Sequence, residues 1–175
     1  SLKDKTALVN HFEVMGTTTH AVNETWKPVL GEQAQIVNHY NELIVALVQK
    51  DSKVKLNLVF RAFDEGVAFR YDFPKQENLN YFIISDEKTE FNLTENNKVF
   101  WIPGDFDSNE YVYNETKFSE IDNEKLNLNN GIGVKSIPGK YTVQTPLQMK
   151  SPSGLYLNIF EAAVVNFPVM HLNAN

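Results

Sequence analysis

Apolar and polar residues alternate with a period of two along most of this chain, the pattern of strands covered on one face. It is cleanest over residues 54–73. Val54, Leu56, Leu58 and Phe60 alternate with Lys55, Asn57 and Val59, and Val67, Phe69, Tyr71 and Phe73 alternate with Ala68, Arg70 and Asp72. Asp64-Glu65-Gly66 between the two runs is a turn signal, so the stretch predicts a β-hairpin, ended by Pro74. Residues 35–49 predict one long strand with Leu43, Val45 and Leu47 on a single face. Shorter strands are expected at 80–84, 89–93, 99–102, 141–145, 147–149, 155–160 and 169–172, and Tyr111 and Tyr113 look like the start of another. Residues 1–25 are polar with scattered apolars, and Leu8, Phe12 and Val14 can begin a strand there. Residues 26–32 predict a turn anchored by Trp26. The Asn-, Gly- and Lys-rich stretch 114–140, with turn signals at Asn129-Asn130-Gly131 and Pro138-Gly139, predicts a long loop or a wandering hairpin. Helix competes with strand only at 33–43 and 164–170. Many short strands, frequent turns and no internal repeat predict an all-β fold, an antiparallel β-sandwich forming a single domain over residues 1–175.

Composition narrows the function classes. A chain of 175 residues with 42% hydrophobic and 22% charged residues can bury a sizeable core. A net charge of -6 without a compensating Lys/Arg cluster argues against nucleic acid as a partner. With no cysteine, disulfides, thiolate metal sites and thiol catalysis are excluded. No apolar run approaches the ~20 residues of a membrane-spanning helix, and the segment S-L-K-D-K-T is not a signal peptide.

Candidate chemistry concentrates in residues 101–113, W-I-P-G-D-F-D-S-N-E-Y-V-Y. Pro103 and Gly104 break regular structure, so the middle is a loop. Asp105, Asp107 and Glu110 supply oxygens of the kind hard cations such as calcium take, and Trp101, Phe106, Tyr111 and Tyr113 supply flat rings of the kind a sugar stacks on. The plainer reading is a solvated acidic turn over a packed tryptophan. The spacing is not that of an EF-hand, whose glycine and twelfth-position glutamate are missing. No nucleophile elbow, phosphate loop or H-E-x-x-H is present. His11, His20, His39 and His171 lack ligand spacing and read as surface or packing residues. Arg61 and Arg70 are expected to pair with acidic neighbours across the sheet or to lie over an aromatic face. Glu161 ends an apolar strand, where a sandwich presents functional side chains and where a solvated strand end is equally ordinary.

A resemblance adds what spacing cannot. T-W-K-P-V-L-G-E (residues 25–32), N-H-Y-N-E-L (38–43), F-R-A-F-D-E-G-V-A-F-R-Y-D-F-P (60–74), T-E-F (89–91), W-I-P-G-D-F-D-S-N-E-Y (101–111), Y-L-N-I-F-E-A-A (156–163) and M-H-L-N (170–173) follow one another as in the N-terminal domain of glycoside hydrolase family 97. The chain resembles that domain over nearly its whole length. The resemblance implies a galactose-mutarotase-like super-sandwich, here starting after the family domain's first strands and stopping before its last, packed against a catalytic (β/α)8 barrel. It implies a calcium-dependent α-glycosidase, α-glucosidase more than α-galactosidase, acting on α-linked oligosaccharides in the periplasm or outside the cell. By motif it places the sandwich's one calcium ligand on Glu110. The acid and the base or nucleophile would lie in the barrel, so this chain alone is expected to be inactive. The competing expectation is a free-standing carbohydrate-binding module. It would use Trp101, Tyr111 and Tyr113 as a stacking platform. Trp101, Tyr111 and Glu161 are the candidate substrate-binding residues.

Overall fold

A computed structural model describes residues 1–126, 136–165 and 167–175. The turn signal at Asn129-Asn130-Gly131 therefore lies outside the described residues. Every strand pairing among them is antiparallel. The only helical elements among them are single 3-10 turns at Phe118–Glu120 and Asn123–Lys125. The fold is all-β, as the alternation predicts. The chain divides into two compact units, Ser1–Glu90 and Phe91–Asn175.

The Ser1–Glu90 unit is built on a four-stranded meander, β1 (Phe12–Trp26), β2 (Ile36–Gln49), β3 (Lys55–Ala62) and β4 (Val67–Asp72), paired in that order. Register follows the apolar pattern. Leu43, Val45 and Leu47 of β2 lie opposite Phe60, Leu58 and Leu56 of β3, and Phe60 and Leu58 lie opposite Phe69 and Tyr71 of β4. The β3–β4 turn closes with the Phe63 amide donating to the Gly66 carbonyl at 2.8 Å. β1 runs for 15 residues although its own sequence is polar. Thr17, Thr18 and Thr19 suit a pleated surface and face Val45, Ile44 and Leu43 across the pair. A register shift between Val14 and Gly16 inserts Met15 as a bulge.

Beside the sheet, Leu2, Val54 and Leu79 form a small core joined by Leu8, Phe73 and Phe82. This accounts for a difference from the expected strand at 80–84, where only an isolated bridge forms, between Leu2 and Ile84. The backbone there bonds to the first residues of the chain, Lys3 to Ile83 at 2.9 Å and Ser85 to Ser1 at 3.1 Å. Phe82 spends its ring on Phe73, 4.7 Å between centroids. The 89–93 stretch also forms no strand: Thr89 bonds Tyr71 through its hydroxyl, and Leu93 packs on the core of the following unit.

The Phe91–Asn175 unit contains β5 (Lys98–Trp101), β6 (Asn114–Lys117), β7 (Thr142–Gln144), β8 (Leu147–Lys150), β9 (Tyr156–Ile159) and β10 (His171–Asn173). β6-β5-β8-β9 form one sheet and β10-β7 a two-stranded ribbon. Val99, Trp101, Leu147 and Met149 from the sheet meet Val143 from the ribbon, with Ile121, in a nearly dry core. β7 is tied to the end of β5 by the Pro103–Val143 bridge and by the Gln144 amide donating to the Ile102 carbonyl at 3.2 Å. The stretch 164–170 holds no helix among its described residues, and 33–43 runs into β2.

Candidate functional site

The acidic loop leaves β5 at Ile102 and rejoins the sheet at β6. Its entry is fixed by close packing. The Gly104 amide donates to the Thr142 carbonyl at 3.0 Å, and a Cβ on Gly104 would sit 3.0 Å from the Thr142 Cβ and 3.2 Å from the Val143 nitrogen. Only glycine lets the loop start this close to β7.

Asp105 follows, 2% exposed. One carboxylate oxygen accepts the amides of Asp107 (2.8 Å) and Ser108 (3.2 Å). The other accepts the Tyr111 hydroxyl (2.5 Å) and the Ser136 amide (3.2 Å). Burial pushes the Asp105 carboxyl up, but the Tyr111 hydroxyl and the three backbone amides outweigh it, and its pKa lies below the ordinary value. The same burial, with the adjoining carboxylate, pushes the Tyr111 phenol up to about 12, so it stays a donor. Gln144 of β7 reinforces the loop, its side-chain amide donating to the carbonyls of Asp105 (3.1 Å) and Ser108 (2.9 Å). The Asp107 carboxylate accepts the Ser136 hydroxyl. Tyr111 is thus held in the loop rather than in a strand, and β6 begins only at Asn114.

Glu110 lies inside this frame. Its amide donates to the Ser108 hydroxyl at 3.1 Å. Its side chain is exposed and has no hydrogen-bond or ion-pair partner among the described residues. Among those residues no three His, Asp or Glu side chains are grouped to hold a metal ion. Calcium takes about six to eight oxygen ligands, so Glu110 fits as one contributor to a site and not as the whole of it.

The other expected contacts are placed differently. Trp101 is 1% exposed in the core, its indole N–H donating to the Thr116 hydroxyl at 3.0 Å. Tyr111 is 8% exposed. Both rings are buried, and of the three rings only Tyr113 is exposed. One oxygen of Glu161 accepts the Met170 amide at 2.7 Å and fastens the connection into β10. His171 stacks on the exposed Phe106 ring, centroids 5.3 Å apart and planes 16° apart. Burial lowers its pKa, against the opposing charges of Asp105 and Glu161, and it serves as a packing residue. The residues that sequence reasoning passed over are Ser108, Ser136 and Gln144. The D-x-D-S string carried part of the signal, since an Asp bonding the amides two and three residues on is a common turn device.

The described residues form antiparallel strands throughout and carry one carboxylate-bearing loop fixed by its own hydrogen bonds. The chain belongs to the glycosyl-hydrolase 97 N-terminal family, whose model matches residues 1–175 and so both units. It is similar to a glycoside hydrolase family 97 enzyme from Pseudoalteromonas sp. strain K8 solved in complex with acarbose, at 29% identity and a TM-score of 0.80. A variant of that enzyme in complex with panose matches at 29% identity and a TM-score of 0.79. Each match covers 99% of this chain and 24% of the enzyme, so this chain spans about a quarter of the length of the enzymes it matches.

Proposed function

We propose that this chain is the N-terminal β-sandwich of a calcium-dependent α-glycosidase, an α-glucosidase rather than an α-galactosidase. It braces a catalytic (β/α)8 barrel and lends Glu110 to a calcium ion at the active site. The observation that carries the reading is the state of Glu110, an exposed carboxylate without a partner among the described residues, on a backbone fixed to either side of it. A ligand already held in place loses little freedom on binding. Calcium bound there supplies charge that orients and polarises groups around the glycosidic bond. The paired carboxylates that hydrolysis needs belong to the barrel. Acarbose and panose, bound by the similar enzymes, are built of α-linked glucose-like units, which favours an α-linked oligosaccharide as substrate. A periplasmic or secreted location goes with that substrate. The burial of Trp101 and Tyr111 disfavours a free-standing carbohydrate-binding module.

The test is Glu110→Gln in the full-length enzyme. Calcium affinity by calorimetry is expected to fall at least about tenfold, or ~1.4 kcal/mol, and α-glucoside hydrolysis at limiting calcium to fall with it. Unchanged calcium affinity would refute the role.

A further inference from the structure

We propose that Asp105 is the positioning residue for Glu110, the buried group that holds the carboxylate-bearing loop in its one ligating conformation. The inference rests on the reading of Glu110 as a calcium ligand and extends it to a residue that touches no ligand itself.

The geometry brackets Glu110 from both sides with a single carboxylate. One Asp105 oxygen holds the Asp107 and Ser108 amides, just before Glu110 in the chain. Ser108 passes the restraint on, its hydroxyl accepting the Glu110 amide. The other oxygen holds the hydroxyl of Tyr111, the residue just after Glu110, and the amide of Ser136, far along the chain. Gln144 clamps the carbonyls of Asp105 and Ser108 from β7. The backbone carrying Glu110 is therefore tied before it, after it and to β7, while its own carboxylate has no partner among the described residues.

An ordinary Asp turn uses one oxygen and leaves the other in water. Here the second oxygen is buried and fully occupied. Burying a carboxylate is costly unless donors replace its water, and four donors do so. An ionised carboxylate only accepts, which is what four converging donors require. An asparagine would point N–H groups at one of the two donor pairs. Three of the four donors come from residues 107–111 and the fourth from Ser136, so the network serves the loop.

The full-length enzyme carrying Asp105→Asn, with Glu110→Gln, Ser108→Ala and Val99→Ala beside it, tests this by calcium calorimetry and by the calcium-dependent rise in Tm. Asp105→Asn is expected to weaken calcium binding about 10- to 100-fold, the range seen when a residue that orients a metal ligand is removed. Ser108→Ala should weaken binding a few-fold. Val99→Ala should lower Tm and leave calcium affinity unchanged. Wild-type calcium affinity in Asp105→Asn, with affinity lost in Glu110→Gln, would overturn the positioning role and leave the reading of Glu110 standing. Wild-type affinity in Glu110→Gln would remove that reading itself. If Asp105→Asn does not fold, Ser108→Ala decides, and unchanged affinity there overturns the proposal.

Discussion

In the Ser1–Glu90 unit, strands of 15 and 14 residues run side by side with most of β1 exposed. In the Phe91–Asn175 unit no described strand exceeds four residues, yet Val99, Val143, Leu147, Met149 and Trp101 are at most 1% exposed. The first unit is held chiefly by ladder pairing and cross-strand side-chain contacts, each worth about 0.2–1 kcal/mol. The second is held by burial and by side chains that bond to loop backbone. The loop that carries Glu110 sits on the second kind of support, where short strands around a close-packed core leave it little room to shift.

The largest expected effect breaks the second kind of support. Trp101→Ala removes the largest side chain of the dry core and leaves the Thr116 hydroxyl without its indole partner. The expected loss is about 3–5 kcal/mol, read as a fall in the urea midpoint. Phe69→Ala in β4, where the ring is 41% exposed and touches Phe60 and Tyr71, should cost only about 1 kcal/mol. Equal losses at the two positions would erase the distinction between the units.

That distinction also explains what the sequence could tell. Residues 54–73 were legible because Leu56, Leu58 and Phe60 face one way and Asp64-Glu65-Gly66 has one turn to make. β2 was legible through Leu43, Val45 and Leu47. β1 was legible only at its start, because its partner strand rather than its own residues makes it a strand. Asn80 to Ile84 misled because apolar residues look alike whether they pair in a sheet or cap a core. At the site, the position of Glu110 came through the family resemblance, and its exposure through the structure. The distant partners of Asp105 were hidden, because no local period links it to Ser136 or Gln144. Trp101 stayed open between packing and sugar in the sequence because an aromatic beside carboxylates has the same composition whether its ring faces in or out.

A middle-sized effect sharpens the contrast through pH. Asp105 titrates below its ordinary value in the folded chain. A carboxyl whose folded pKa is depressed contributes stability that is present above its unfolded pKa, near 3.8, and is lost as pH falls through the folded value. As pH falls below about 4 the chain should therefore lose more stability than Asp105→Asn loses over the same interval. Tm against pH for the two proteins checks this. Parallel acid limbs would mean that the carboxylate's bonds contribute nothing specific.

The smallest effect lies on the long sheet. Arg61 of β3 faces Glu42 of β2 in register, its Nε donating to the carboxylate at 2.8 Å, and its guanidinium lies 4.4 Å from the centre of the Tyr40 ring. Arg61 meets both expectations made for it, while Arg70 has neither kind of partner among the described residues. Tyr40 and Glu42 are two apart on one strand and so share a face. A part-exposed ion pair is worth about 0.2–1 kcal/mol and weakens with salt, and a cation over a ring about 0.5–1 kcal/mol at such sites. The cycle Arg61→Met with Glu42→Gln should give a coupling of about 0.5 kcal/mol that shrinks at 1 M salt. The cycle Arg61→Met with Tyr40→Leu should give a similar coupling that changes less, because the ring carries no net charge to screen. If both couplings vanish together at high salt, the ring contributes only area, and the sheet at this point is held by its ladder alone.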